Sequence, residues 1–222
     1  MRFSEAKAYI FDLDGTLLAS TGLWYGVYAK ALAHFGIDMP EDYVAHVNHL
    51  DIAGGTAYTA ARFGLVCGAE GVAQVWRSIA GDAYRERIDL TPHAKELLYA
   101  LKSADKTLAI ATALDRDLAQ ACLERHGVWQ LFDAFVSVAD VGKDKSSPDV
   151  YLAAAEALGA EPSECVVVED GFVGARSAHA AGFFTAGVKD TYSGATADMM
   201  SSVCDRLEDD LGGYLADFTQ NP

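Results

Sequence analysis

The sequence predicts an α/β fold in which a doubly wound parallel sheet, a Rossmann-like core, is interrupted by a helical insert. Five short apolar runs are continuous rather than alternating, which is typical of strands buried on both faces of a parallel sheet. Helical periodicity separates the later runs, and strand–helix alternation implies right-handed crossovers. We therefore expect strands at Ala8–Phe11, Leu108–Thr112, Ala134–Val138, Cys165–Val168 and Phe184–Val188.

The segment from about Ser20 to Ile88 has helical periodicity and no convincing strand. It follows the first strand, so we expect a helical subdomain of residues 18–89 over the edge of a core made of residues 1–17 and 90–222. Thr16–Ser20 and Arg87–Pro92 are the expected hinges. The candidate helices are Leu23–Phe35, Pro40–His49, Ala57–Phe63 and Glu70–Arg85.

Composition narrows the function classes. The 222 residues include 17 Lys+Arg and 32 Asp+Glu, a formal charge of −15, and 51% are hydrophobic. Such a chain is globular, and its charge disfavours both nucleic acid and an anionic membrane surface as partners. The first residues lack the apolar run of a signal peptide, and no run reaches membrane-spanning length. We expect a soluble, cytoplasmic protein that is a monomer or a weak homodimer.

Two carboxylates follow the first predicted strand. Asp12 and Asp14 are two residues apart, and Gly15 permits a tight turn behind them. Ligands of open α/β sheets bind beyond the carboxyl ends of the strands, where such a pair can act as nucleophile and general acid/base. The alternative interpretation is an Asx-type turn after a buried strand.

Polar residues also follow later strands. Thr112 ends the second strand and can bind a phosphoryl oxygen, although a β-branched residue commonly ends a strand. Lys145 lies in the loop before a predicted helix, with Ser147 as its N-cap and Pro148 as its first residue. Lys145 can neutralise negative charge that develops in the reaction. The alternative interpretation is a solvated loop lysine.

The fourth site is an acidic pair after the strand Cys165–Val168. Glu169 and Asp170 are of the ligand type that Mg²⁺ prefers, and the alternative is a capping role for the helix that starts near Phe172.

These four motifs in order closely resemble the haloacid dehalogenase-like hydrolase superfamily, in its phosphatase/β-phosphoglucomutase-like branch with a helical cap after the first motif. The resemblance covers nearly the whole chain. Asp12–Thr16 matches the DxDGT motif of the family, and Thr112 matches its second motif. Lys145–Asp149 matches KxxPD, and Val166–Gly182 matches the fourth motif with the helix that follows.

The resemblance implies a role for each residue. Asp12 would be the nucleophile that forms an aspartyl-phosphate, and Asp14 would protonate the leaving oxygen and then activate water. Thr112 and Lys145 would bind the phosphoryl group, assisted by Gly15, Thr16 and Ala113. The Mg²⁺ ligands would be Asp12, the backbone carbonyl of Asp14, Asp170 and Glu169.

The branch of the family is indicated by single positions. An acid at Asp14 disfavours dehalogenase and phosphonate-cleaving activities, and Thr16 is the usual phosphatase residue where mutases often have Val. Two positions depart from the family pattern. Ala19-Ser20-Thr21 replaces an acidic stretch such as DSE, and Ala113 stands where Asn or Ser is common.

Substrate specificity in this branch resides in the cap, here around the predicted loop Asn48–Thr56 with its Gly54-Gly55 pair. No Lys or Arg occurs between Lys30 and Arg62, which argues against a second phosphate and for a sugar or polyol leaving group. Candidate cap contacts are Trp24, His49 and Gly55, although Trp24 also suits ordinary helix packing.

The sequence therefore predicts a Mg²⁺-dependent phosphatase of a small-molecule phosphorylated metabolite. A phosphosugar mutase of the β-phosphoglucomutase type and a non-catalytic phosphate-binding protein are the alternatives.

Overall fold

A computed structural model describes residues 1–219. Its strands are β1 (Ala8–Phe11), β2 (Thr107–Thr112), β3 (Ala134–Ser137), β4 (Cys165–Glu169), β5 (Phe184–Val188) and β6 (Arg206–Glu208). Its helices are α1 (Thr21–His34), α2 (Tyr43–Val47), α3 (Ile52–Phe63), α4 (Gly68–Glu86), α5 (Ala94–Ser103), α6 (Arg116–Arg125), α7 (Val138–Val141), α8 (Asp149–Ala157), α9 (Phe172–Ala180), α10 (Ala197–Ser201) and α11 (Gly212–Thr219). Three short 3₁₀ helices lie at Phe3–Glu5, Trp129–Leu131 and Pro162–Glu164.

All six strands run parallel in the order β3-β2-β1-β4-β5-β6, which confirms the predicted fold class. The chain winds outward from β1 through β2 to β3 and then crosses to β4 on the other side of β1. Phe11, at the end of β1, pairs with Ile110 of β2 and Val168 of β4. The strand order reverses at this point, and the crevice there is where doubly wound sheets bind ligands.

Side chains alternate between two apolar layers along the central strand. Tyr9 and Phe11 of β1 belong to a core that includes α5, α6 and the helical insert. Ala8 and Ile10 belong to a second core, which includes α8 and α9. Successive residues of a strand point to opposite faces, so continuous apolar runs cover the sheet on both sides.

Two elements of the core differ from the prediction. β3 ends at Ser137 because Val138 begins α7, and the Ser137 N–H donates to Asp140 Oδ2 at 2.7 Å in a capping box. β6 was not predicted, since its three half-buried residues, Arg206–Glu208, carry no apolar run.

The insert between β1 and α5 contains α1–α4, as the periodicity predicted. α3 begins at Ile52 rather than Ala57, because Asp51 Oδ1 accepts a hydrogen bond from the Gly54 N–H at 2.6 Å. The predicted loop Asn48–Thr56 therefore shortens to residues 48–51.

The insert leaves and re-enters the core through two adjacent segments. Leu18 forms an antiparallel bridge with Leu90. The Ala19 N–H donates to the Asp89 carbonyl, and the Thr91 N–H donates to the Leu17 carbonyl, both at 2.9 Å. The expected hinges thus lie side by side next to the end of β1.

Within residues 1–219, the helices are too short or too polar to span a lipid bilayer.

Candidate active site

Residues from all four sequence motifs line one cavity of about 180 Å³ at the carboxyl ends of the strands. Asp12 follows β1, Thr112 ends β2, and Glu169 ends β4. Lys145 reaches the same cavity from the loop before α8. The parallel sheet brings these residues together because its strands all end at one edge.

Lys145 connects the first and fourth motifs. Its Nζ donates hydrogen bonds to Asp12 Oδ1 and, at 2.5 Å, to Glu169 Oε1. The Tyr151 hydroxyl also donates to Glu169 Oε1, at 2.6 Å, and the Ser177 hydroxyl donates to the Lys145 carbonyl at 2.7 Å. Burial alone would lower the pKa of Lys145, but the two carboxylates outweigh it and raise the pKa, so the ammonium stays charged.

Three buried carboxylates form an acidic cluster. One oxygen from each of Asp12, Glu169 and Asp170 lies within 4.8 Å of the others. Burial raises the pKa of Asp12 to about 7, and the nearby Glu169 adds to this rise. Burial, together with repulsion from Asp12 and Glu169, raises the pKa of Asp170 well above its usual value.

This cluster fits a divalent cation. Three carboxylates face one ammonium, so the buried charge is not balanced by Lys145 alone. Hard oxygen donors at this spacing suit Mg²⁺, and a bound dication would reverse the local sign of the potential. Thr16 supports the cluster, because its Oγ1 donates to Asp170 Oδ1 at 3.2 Å.

Asp14 lies beside this cluster, and its side chain contacts the insert. Its Oδ1 accepts hydrogen bonds from the Ser20 hydroxyl and, at 2.5 Å, from the Tyr84 hydroxyl of α4. Tyr84 in turn accepts a hydrogen bond from Trp24 Nε1 of α1. Burial raises the pKa of Asp14, and these hydrogen bonds oppose the rise. The Asp14 carboxylate is not part of the acidic cluster, and the predicted metal contact through its backbone carbonyl stays a prediction.

The remaining predicted residues divide into two groups. Ala113, Trp24 and His49 line the cavity with Thr112, whose Oγ1 accepts from the Leu114 N–H at 3.0 Å. Burial lowers the pKa of His49 and so favours the neutral ring.

Gly15, Thr16 and Gly55 are not among the residues that line the cavity, and their role as substrate contacts stays a prediction. Gly15 makes the turn after the first motif, with a φ of 91° that favours glycine. Thr16 is fully buried. A Cβ on Gly55 would lie 3.0 Å from Cη2 and Cζ3 of Trp76, so this glycine allows the indole ring to pack against α3.

The insert supplies a wall of different chemistry. Trp24, Tyr28 and Trp76 form an aromatic cluster, with the Tyr28 and Trp76 ring centroids 5.0 Å apart. Asn48, His49 and Asp51 add polar groups next to it. Within residues 1–219, Lys145 is the single lysine or arginine of the cavity wall, and the insert residues Arg77, Arg85 and Arg87 lie outside it.

Sequence reasoning missed Ser20, Tyr84, Tyr151 and Trp76, whereas Tyr28 was already a candidate for the inner face of the insert. A signal existed for Ser20, because it is the middle residue of the stretch that departs from the acidic family pattern. The three aromatic residues lie within helices, and no motif distinguishes them from residues that only pack.

Comparison with known proteins identifies a family and relatives that match the part of the chain that contains the four motifs. A family model described as haloacid dehalogenase-like hydrolase matches residues 6–182. Hexitol phosphatase A from Escherichia coli (strain K12) is 34% identical over 183 residues, covering 80% of this chain and 81% of its own length. Validoxylamine A 7'-phosphate phosphatase from Streptomyces hygroscopicus subsp. limoneus is 29% identical over 202 residues, covering 87% of this chain and 92% of its own length.

Among solved structures, CbbY from Rhodobacter sphaeroides in complex with phosphate has a TM-score of 0.77 at 24% identity, covering 93% of this chain and 96% of that chain. The span matched by the family model contains all four motifs.

Proposed function

Because the chain belongs to the haloacid dehalogenase-like hydrolase family, we propose that it is a phosphatase that hydrolyses a small-molecule phosphomonoester through an aspartyl-phosphate. The observation that carries this proposal is the position of Asp12. This buried carboxylate lies at the end of β1, is bonded to Lys145, and faces a cavity that Asp14 also lines. The names of two relatives, a hexitol phosphatase and a phosphatase of validoxylamine A 7'-phosphate, support this reaction class.

The reaction proceeds in two displacements. An Asp12 oxygen attacks phosphorus, the bond from phosphorus to the leaving oxygen breaks, and Asp14 gives that oxygen a proton. Asp14 then takes a proton from water, the water oxygen bonds to phosphorus, and the Asp12–phosphorus bond breaks. Lys145 and Thr112 orient the phosphoryl oxygens, and Lys145 compensates their charge. Phosphoryl transfer requires mainly such positioning and electrostatic stabilisation.

The acidic cluster is the proposed Mg²⁺ site. Asp12, Glu169, Asp170 and the Asp14 carbonyl would hold the ion, which neutralises phosphate charge when bound. Without a bound metal ion, the three carboxylates would repel an anionic substrate, because within residues 1–219 Lys145 is the single lysine or arginine of the cavity wall.

We propose that residues 18–89 act as a cap on a core of residues 1–17 and 90–222. The adjacent segments at Leu18 and Leu90 are the two chain connections between the cap and the core, and the aromatic cluster of the cap lines the cavity. A cap that closes over the cavity excludes water during the first displacement.

The cavity wall favours a monophosphate with an uncharged, hydroxylated leaving group. A second phosphate held by the insert would lie near Asp51, and within residues 1–219 no lysine or arginine of the insert lines the cavity. Aromatic faces with nearby amide, imidazole and carboxylate groups suit a sugar or polyol. These features favour hydrolysis over the mutase alternative. The cytoplasmic location and the monomeric or weakly dimeric state stay predictions.

A phosphate-release screen of sugar, polyol and aryl phosphates tests the proposal. We expect Mg²⁺-dependent release that falls by roughly 10⁴-fold or more in Asp12→Asn, as for removal of other enzyme nucleophiles. Asp105→Asn is the matched control, since Asp105 is an exposed carboxylate outside the cavity wall.

Release that survives Asp12→Asn would contradict the mechanism. Isomer interconversion without net phosphate release would identify a mutase, and tight binding of phosphate esters without turnover would identify a binding protein.

A further inference from the structure

The hydrogen bonds around Asp14 come from both ends of the insert. Ser20 lies in the segment that leads into α1, Trp24 lies one turn into that helix, and Tyr84 lies near the end of α4. The Trp24 indole donates to the Tyr84 hydroxyl, and the Ser20 and Tyr84 hydroxyls donate to Asp14 Oδ1. Sixty or more residues of chain separate Tyr84 from the other members, so the network forms only when α1, α4 and the end of β1 are packed together.

The donors in this network have fixed directions. An indole N–H can only donate, so the Tyr84 hydroxyl is the acceptor toward Trp24. Its own proton is therefore available to Asp14. Oδ1 of Asp14 already accepts two hydrogen bonds, so the proton that Asp14 transfers is held on Oδ2.

Burial makes the network rigid. Tyr84 and Ser20 are fully buried and Trp24 is 8% exposed. The ring centroids of Trp24 and Tyr84 are 6.1 Å apart, so the two side chains also pack against each other. A buried hydroxyl without a partner is destabilising, and rotation of Asp14 away from Tyr84 would leave one.

We propose that Tyr84, supported by Trp24 and Ser20, is a positioning residue that fixes the Asp14 carboxylate with Oδ2 available for proton transfer. This inference rests on the proposed phosphatase function. It assigns a task to insert residues that do not touch the phosphoryl group.

Leaving groups that differ in their need for a proton test the inference. The probes are sorbitol 6-phosphate and fructose 1-phosphate, whose alkoxide leaving groups need protonation, and 4-nitrophenyl phosphate, whose phenolate does not. In Tyr84→Phe we expect kcat/KM for the sugar and polyol esters to fall about tenfold, equivalent to about 1.4 kcal/mol. For 4-nitrophenyl phosphate, kcat/KM should change less than about twofold. This parameter includes only the steps up to departure of the leaving group, and nitrophenolate departs without a proton from Asp14.

Two further variants complete the experiment. Ser20→Ala removes the other donor to Oδ1 with little change in volume and should show the same selectivity. Tyr43→Phe is the matched control, because the Tyr43 hydroxyl is buried in the same insert and bonds Thr59 at 2.5 Å, away from Asp14. The control should leave the ratio between the two substrate types unchanged.

The outcomes separate the inference from the proposed function. Equal losses for alkyl and aryl esters in both Tyr84→Phe and Ser20→Ala would show a merely structural role and overturn the inference. Unchanged ratios in both variants, or wild-type protein that cleaves only 4-nitrophenyl phosphate, would also overturn it while leaving a phosphatase. Wild-type protein that cleaves none of the three probes would overturn the proposed function itself.

Discussion

The two walls of the cavity differ in chemistry and in origin. The core wall includes the buried carboxylates at the ends of β1 and β4 and a lysine from the loop before α8. This lysine, Lys145, donates hydrogen bonds to Asp12 and Glu169. The insert wall combines an aromatic cluster with apolar and polar side chains, and it contributes no lysine or arginine within residues 1–219. We infer that the core wall determines which bond is broken, whereas the insert wall selects the leaving group and positions Asp14.

The largest effect should come from breaking the charge network of the core wall. Lys145→Met leaves Asp12 and Glu169 buried without their shared cation. We expect the free energy of unfolding to fall by about 3–5 kcal/mol, as measured by urea denaturation without divalent cations. Phosphate release should fall by roughly 10²-fold or more, because a group that stabilises the transferring phosphoryl is lost.

Lys143→Met provides the comparison. Lys143 pairs with Asp149 on the surface at 2.9 Å, and its side chain is 58% exposed. Exposed pairs contribute little, so the urea midpoint should hardly move. Equal destabilisation by the two substitutions would show that the core network does not balance buried charge.

Removing the divalent cation should have an intermediate effect. We expect Mg²⁺ to raise the free energy of unfolding by about 2.7 kcal/mol at a concentration 100 times its Kd, because it binds the folded acidic cluster. Thermal unfolding with Mg²⁺ or EDTA measures this. The stabilisation should disappear in Asp170→Asn and persist in Asp105→Asn. A melting temperature that is insensitive to Mg²⁺ in wild-type protein would contradict the metal site.

The smallest expected effect is a difference in the free energy of unfolding between substitutions of two tryptophans of the insert wall. Trp24 Nε1 donates to Tyr84, whereas Trp76 Nε1 is buried without a partner in the structure. Trp24→Phe should therefore destabilise the protein by about 1 kcal/mol more than Trp76→Phe, since only the first removes a made hydrogen bond. Urea denaturation of both variants measures the difference. A larger loss for Trp76→Phe would show that its N–H has a partner in solution.

The core wall was more predictable from the sequence than the insert wall, for a physical reason. Asp12, Thr112 and Glu169 directly follow or end apolar strands, and parallel pairing alone brings strand ends together. Tyr84 and Trp76 are placed by the packing of α4 against α1 and α3, which periodicity does not specify. The strands were predicted for the same reason, whereas β6 lacked an apolar run and α3 began earlier because Asp51 caps it.

Trapping the covalent intermediate tests the central claim most directly. Asp14→Asn should still be phosphorylated by 4-nitrophenyl phosphate, because the nitrophenolate leaving group needs no proton. It should hydrolyse the intermediate slowly, because the base that activates water is lost. We predict a burst of about one nitrophenol per enzyme and, after acid quench and peptide mass spectrometry, a phosphate on Asp12. The double variant Asp12→Asn/Asp14→Asn should show neither. A burst without label on Asp12, or label on another residue, would contradict the account.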